Sequence, residues 1–344
     1  MISLSEVRNL HLEITTLCNA RCPLCVRNAN GYPHNFGYPE TSLSLANVKS
    51  LFSIEFVRQL TSIDLCGNFG DFVMNPEAAE IIEYFCNNNN KLEARISTNG
   101  SARNQQFWQQ LAQFGNRIHI TFCLDGLEDT HSLYRVDTSW KNIIRNAQDF
   151  INAGGIAVWK MIKFDHNAHQ VEDCRALAKE LGFQRFDFTD HGRSSGPVFD
   201  RQGNLKYGIG SVDLTHASVE NVIQWHQHPV TPLPTEKNTI DCFSKKEKSI
   251  YIAGDGTVYP CCYLGAFPTT FANGTWYKQT HDQIRNLMPL GNNALEVGLE
   301  NAIGWFNQVK ESWDKTSYAD GRLILCDSHC GTDYQHWDRQ VLEK

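Results

Sequence analysis

The stretch Cys18-Asn19-Ala20-Arg21-Cys22-Pro23-Leu24-Cys25 decides how this chain is read. Its three cysteines lie four and three positions apart, in a loop that follows an apolar segment (Leu10, Leu12, Ile14). Three thiolates at this spacing can hold three corners of a cubane iron–sulfur cluster. The fourth iron then has no protein ligand and can bind a small molecule, which separates a catalytic cluster from an electron carrier. A zinc ion with a distant fourth ligand, or buried free thiols, are the other readings of the same spacing.

The rest of the composition agrees with a metalloprotein in a reducing compartment. The chain has 344 residues, enough for one large α/β domain and a smaller one. The net charge of −7 gives no electrostatic case for nucleic-acid binding. The twelve cysteines are too clustered for a disulfide scaffold in a chain of this length. Met1 to Leu10 holds no apolar core of a signal peptide, and no apolar run approaches membrane-spanning length, so a cytoplasmic protein is expected.

Outward from the cysteine loop, strand and helix patterns alternate. Residues 8–15 read as the first strand, with the loop at its C-terminal end. Residues 43–60 carry helical spacing, with Ser44 as a cap. Ser62 to Cys66 is a second strand, running into Gly67-Asn68-Phe69-Gly70-Asp71, and a helix follows over 76–86. Asn87 to Asn90 reads as a loop tip. Leu92 to Ser97 is a third strand ending in Thr98-Asn99-Gly100, a turn signal. In the fourth strand, Arg117 to Leu124, alternation puts His119, Thr121, Cys123 and Asp125 on one face and Ile118, Ile120, Phe122 and Leu124 on the other. A helix over 140–153, a strand over 157–164, a helix over 171–181 and a strand over 183–188 complete about six strand–helix units. Thr189-Asp190-His191-Gly192-Arg193 follows the sixth strand. From Ser194 to Asn238 periodicity fades into a bridging segment.

A second cysteine set lies downstream. Ser249 to Ala253 and Thr257 to Cys261 flank a Gly-Asp-Gly turn and form a hairpin. The hairpin folds Cys242 back towards Cys261, and Cys326 and Cys330 add two more thiols. Four cysteines can fill every corner of a second [4Fe–4S] cluster or hold one zinc ion. Cys262 is a spare that competes with Cys261, and His329 is a remote further ligand.

The C-x3-C-x2-C loop and these downstream motifs together resemble the radical S-adenosylmethionine (SAM) enzymes. The second cysteine set resembles their twitch module, a shortened SPASM domain, in its Gly256-to-Cys261 step and its late cysteine pair. The resemblance implies a partial (β/α)6 TIM-like barrel over 1–195, the bridging segment 196–238, and a small β-hairpin/helix auxiliary-cluster domain over 239–344. It implies two [4Fe–4S] clusters, one on Cys18, Cys22 and Cys25 and one on Cys242, Cys261, Cys326 and Cys330. It places SAM against Gly67, Asn68, Gly70, Asp71, Thr98, Asn99, Cys123 and Arg135. Gly70-Asp71 stands where the family often has Gly-Glu, and Cys123 stands where the related subgroup has a serine beside the SAM carboxylate. The activity implied is reductive SAM cleavage and hydrogen abstraction from a small molecule or peptide. An oxidation or crosslink with the second cluster as electron acceptor is the first expectation, and flavodoxin or ferredoxin the electron donor. Asp125, Cys123, His191 and Arg193 are the candidate catalytic residues. Epimerisation with a cysteine hydrogen donor (Cys123, Cys66 or Cys262) and a non-enzymatic iron–sulfur or zinc protein are the alternatives.

Overall fold

Apolar side chains at every second position build the central sheet. The computed structural model describes residues 2–190, 195–227, 239–270, 275–288 and 291–331. Six strands, β1 (Asn9–Leu12), β2 (Ser62–Leu65), β3 (Glu93–Thr98), β4 (Ile118–Cys123), β5 (Ile156–Lys163) and β6 (Arg185–Asp190), lie side by side in chain order and run parallel. The connections between them carry helices α1 (Leu45–Leu51), α2 (Ile54–Gln59), α3 (Ala78–Asn88), α4 (Gln105–Ala112), α5 (Glu128–Tyr134), α6 (Trp140–Asn152) and α7 (Val171–Glu180). Leu10, Leu12, Ile63, Ile120, Phe122 and Trp159 point to the helix side and are fully or almost fully buried. α6 meets them with Ile143, Ala147 and Phe150, one stripe of an amphipathic helix.

The other face is polar. The register sets His11 beside Asp64, Asp64 beside Arg95, and Arg95 beside His119, with Cys123 beside Lys160 two layers further on. Parallel sheets are usually apolar on both faces, so this polar row marks a face kept for something other than packing.

Two details depart from the sequence reading. The segment 43–60 is two helices, not one. Ser44 caps α1 by accepting the Asn47 N–H at 3.1 Å, as expected, but Ser53 caps α2 in the same way through Phe56 N–H and breaks the run. The Asn87–Asn90 run is not a loop tip. Asn87 and Asn88 end α3, and Asn89 is buried, donating to the Val57 and Leu60 carbonyls at 2.9 and 2.8 Å. A side-chain amide at the end of one helix can satisfy the last carbonyls of another, here α2, which composition alone does not reveal.

Within the bridging segment, β7 (Gly196–Phe199) and β8 (Leu205–Ile209) form an antiparallel ribbon, followed by α8 (Val219–Gln227). Val198 and Ile209 pack with Cys22, Tyr134 and Phe164, so the ribbon covers the cysteine loop. The expected downstream hairpin is present as β9 (Ser249–Ile252) and β10 (Val258–Tyr259). It is not free-standing. β9 pairs with β1 along its whole length, from Asn9↔Ser249 to Leu12↔Ile252, and extends the sheet to eight strands. Beyond it, helix Ile324–Cys330 is held by a buried, two-pronged ion pair of Arg322 with Asp327 at 2.7 and 2.8 Å. No helix among the described residues is long and apolar enough to cross a membrane.

Candidate cofactor site

The loops after β1, β2, β3 and β4 meet at the C-terminal edge of the sheet, where parallel α/β folds place their ligands. The first of them carries the three cysteines. Cys22 is buried, and Cys18 and Cys25 are half-buried. The loop is tied internally by Cys25 N–H to the Cys22 carbonyl (3.0 Å) and by the Asn28 side-chain amide to the same carbonyl (3.0 Å). Arg21 anchors its rim on Asp137 at 3.0 Å, and Arg201 of the β7–β8 turn reaches the same carboxylate at 2.7 Å. Burial, the Asp71 carboxylate and the neighbouring thiols Cys22 and Cys25 all push the Cys18 thiol up. Neighbouring thiols resist becoming thiolates unless a cation is shared among them, so the chemistry of the donor set suits a thiolate-held metal centre, iron–sulfur or zinc.

The loop after β2 lies against this one. Gly70 packs so closely that a Cβ would overlap the Thr15 carbonyl. Asp71 is buried and does not face solvent as a ligand. Its carboxylate accepts Thr98 Oγ1 (2.6 Å), Asn99 N–H (2.7 Å) and the Asn99 side-chain amide (2.6 Å), welding the loop to the end of β3. Burial raises the Asp71 pKa against those bonds. Asn99 Nδ2 also donates to Asn19 Oδ1 at 2.9 Å and lies 3.9 Å from Cys18 Sγ. The motifs after β1, β2 and β3 are therefore brought together as one cradle.

From the fourth loop, Arg135 sits 3.8 Å from Cys22 Sγ. Its Nε donates to Asp125 Oδ2 at 2.6 Å, while Asp125 Oδ1 accepts the Ile162 N–H at 2.6 Å. Both oxygens of Asp125 are engaged, and the residue is fully buried. Burial opposes the Arg135 charge, but Asp125 and the thiols Cys22 and Cys123 outweigh it and hold its pKa well above the ordinary value. His131 is buried behind this pair, accepting the Asp125 N–H at 3.2 Å. Burial pushes its pKa down to about 4. Cys123 lies on the polar face, and burial raises its pKa. Solvent reaches Cys66 on the same face, yet burial and Cys123 push that thiol up to about 11. His191 and Arg193 lie outside the described residues.

The second cysteine set also converges. Cys242, Cys261, Cys326 and Cys330 line one cavity of about 840 Å³, together with Cys262 and His329. A hydrogen bond with Cys330 first, then burial and Cys261, push Cys242 up; burial first, then Cys262 and Cys330, raise Cys261. Residues far apart in sequence are thus mutual neighbours. Among the described residues, no three His, Cys, Asp or Glu side chains are placed to share a single metal ion.

One residue escaped the sequence reading. Glu13 is almost completely buried, and its Oε1 accepts the N–H groups of Phe69 (2.7 Å) and Gly70 (2.8 Å). It is the acid that shapes the loop after β2. A signal existed, since Asn9, His11 and Glu13 alternate on a strand of the parallel sheet.

The sequence matches no protein-family model and no curated protein. Solved structures do share its fold. SuiB from Streptococcus suis bound to S-adenosylmethionine aligns with a TM-score of 0.57 at 12% identity, over 94% of this chain and 73% of that one. SuiB bound to its precursor peptide SuiA gives 0.53 at 13%, over 94% and 71%. Histidine-tagged anSMEcpe with bound AdoMet gives 0.53 at 14%, over 97% and 91%. The chain thus has the α/β fold of these AdoMet-bound proteins, with its mostly parallel eight-stranded sheet.

Proposed function

We propose that this chain is a radical SAM enzyme whose sheet curls into a partial barrel, with a twitch-type second cluster in its C-terminal part. The observation that carries this reading is the meeting of Cys18, Asn99, Asp71 and Arg135 at one edge of the sheet. Cys18, Cys22 and Cys25 would hold one [4Fe–4S] cluster, and Cys242, Cys261, Cys326 and Cys330 a second. Bound there, the first cluster and SAM would supply a 5′-deoxyadenosyl radical that removes a hydrogen atom from the substrate. The net reaction is a two-electron oxidation or a crosslink, with the second cluster as electron acceptor and a flavodoxin or ferredoxin as donor in a reducing cytoplasm.

The residues divide the work. Loop 67–71, fixed by Asp71 through Thr98 and Asn99, would present its backbone to the SAM amino group. Arg135 offers its remaining N–H groups to a carboxylate, with Asp125 setting its direction; Asp125 is a positioning residue here rather than a free base. The β7–β8 ribbon keeps water from Cys22. The substrate is a small molecule or a peptide. The peptide choice draws support from fold relatives that bind SuiA and the Cp18Cys peptide, a warrant by analogy. His191 and Arg193 remain candidates for proton removal and substrate orientation. A second reading, epimerisation with a thiol donor, is favoured by Cys66 and Cys123 sharing the polar face.

Anaerobic reconstitution tests the proposal. Iron and 5′-deoxyadenosine are counted, with SAM and dithionite, in wild type and Cys22→Ala. About eight irons falling to about four, with deoxyadenosine lost, is the expected result. Iron near zero with bound zinc, or no deoxyadenosine under any reductant, would sink it.

A further inference from the structure

We propose that Glu13 and Tyr251 are positioning residues that couple the second cysteine set to loop 67–71, so that filling the second site sets the order of the first. The link to SAM affinity rests on the function proposed above; the mechanical link does not.

Glu13 faces both ways. Its Oε1 holds the Phe69 and Gly70 N–H groups, and its Oε2 accepts the Tyr251 hydroxyl at 2.6 Å. Neither end has slack. A Cβ on Gly67 would overlap Glu13 Oε1, so the loop backbone lies directly on the carboxylate. Tyr251 is fully buried on β9, paired in register with His11 and edge-on to its ring at 4.9 Å.

Behind Tyr251 stands the second site. A Cβ on Gly265 would overlap the Tyr251 ring, and Gly265 belongs to helix Cys262–Thr270, which starts one residue after Cys261. Gly265 N–H donates to the Cys261 carbonyl at 3.1 Å, so this first turn moves with that thiol. A parallel tie closes the circuit: Asn68 Nδ2 donates to the Cys262 carbonyl at 2.9 Å. Loop 67–71 is thus fastened twice to the segment 261–265. A cluster held by these four thiols would fix where that segment sits. Through close-packed, hydrogen-bonded contacts that constraint would reach Phe69 and Gly70. Coupling of this kind is reciprocal, so SAM would also favour a filled second site.

Four anaerobically reconstituted proteins test it: wild type, Tyr251→Phe, Cys326→Ala and the double variant. The readouts are hydrogen–deuterium exchange of the peptide carrying the Phe69 and Gly70 amides, and SAM dissociation constants by titration calorimetry. Tyr251→Phe should keep its iron, speed exchange, and weaken SAM about tenfold, roughly one hydrogen bond to a buried carboxylate. Cys326→Ala should match it, and the double variant should be no worse than about twofold beyond either single, because both cut one link. Glu13→Gln keeps an acceptor for the amides and a partner for Tyr251, so it should stay near wild type, while Glu13→Ala should exceed Tyr251→Phe in both readouts, because it also leaves the Phe69 and Gly70 amides without their acceptor. Unchanged exchange and affinity in Tyr251→Phe, or a double variant weakened by the product of the singles, would overturn the coupling. Faster exchange in both singles with no SAM binding even in wild type would uphold the mechanical link and reject the SAM reading.

Discussion

Replacing Asp327 by Asn should unseat the second cysteine set while sparing the first. Arg322 is 6% exposed and Asp327 fully buried, and two short bonds join them. The hydrogen bonds that Arg322 donates to Asp327 outweigh burial and hold the Arg322 pKa above its ordinary value. Asparagine keeps one acceptor but turns an NH₂ group towards a guanidinium that can only donate. The charge keeps the carbonyls of Trp313 and Lys315 but loses its carboxylate. Breaking one side of a buried pair costs about 3–5 kcal/mol. That is a large share of a typical domain stability of roughly 5–15 kcal/mol. Helix Ile324–Cys330, two turns long, carries both Cys326 and Cys330, so local unfolding there should precede the rest. Urea unfolding of the reduced apoprotein gives the energy. Iron counting should show the reconstituted variant falling towards about four irons. The pair Arg322→Met/Asp327→Leu removes both charges and should recover most of the stability. An Asp327→Asn protein within about 0.5 kcal/mol of wild type, with iron unchanged, would refute the reasoning.

Three further outcomes are expected. Gly70→Ala sets a Cβ against the Thr15 carbonyl, where only backbone can yield; it should lose about 1–3 kcal/mol in urea and most SAM binding, and a neutral result would deny the close approach of the two loops. Asp125→Asn releases Arg135 from its 2.6 Å partner and should destabilise by about 3 kcal/mol and weaken SAM about tenfold, read by urea midpoint and calorimetry. The third is acid sensitivity in the apoprotein. His131 has a folded pKa of about 4 against an ordinary 6.5, so the unfolded chain takes up the proton first as pH falls. Its contribution is whole above 6.5 and is lost down to about 4, in total up to ~3 kcal/mol, and His131→Asn should flatten that part of the urea-midpoint profile.

How much of this was legible depends on how far apart in sequence the partners lie. The Cys18–Cys25 loop announces itself because its three cysteines share eight residues. Alternation in 118–124 foretold both faces of β4, and the structure buries Ile118, Ile120, Phe122 and Leu124 completely. Ser44 was readable as a cap because its bond closes within three residues. Asn89, Arg322 and Asp327 were not readable in the same way. Asn89 looks like any loop asparagine until the end of α2 is brought beside it. A lone Arg and Asp five residues apart look like a solvated pair until burial removes the water.

Glu13 makes the same point at the site itself. Its two classes of partner lie 56 to 57 residues away, in the loop after β2, and 238 residues away, on β9. No local pattern can encode that. Sheet order fixes it instead. β1 sits between β2 and β9, so a side chain from its C-terminal end is the natural bridge between the loop leaving one neighbour and the side chains carried by the other. A buried carboxylate there would be costly without donors on both sides. With three of them it is tolerated only while both neighbours keep their places. A residue that is stable only when two sites are correctly built also senses whether they are.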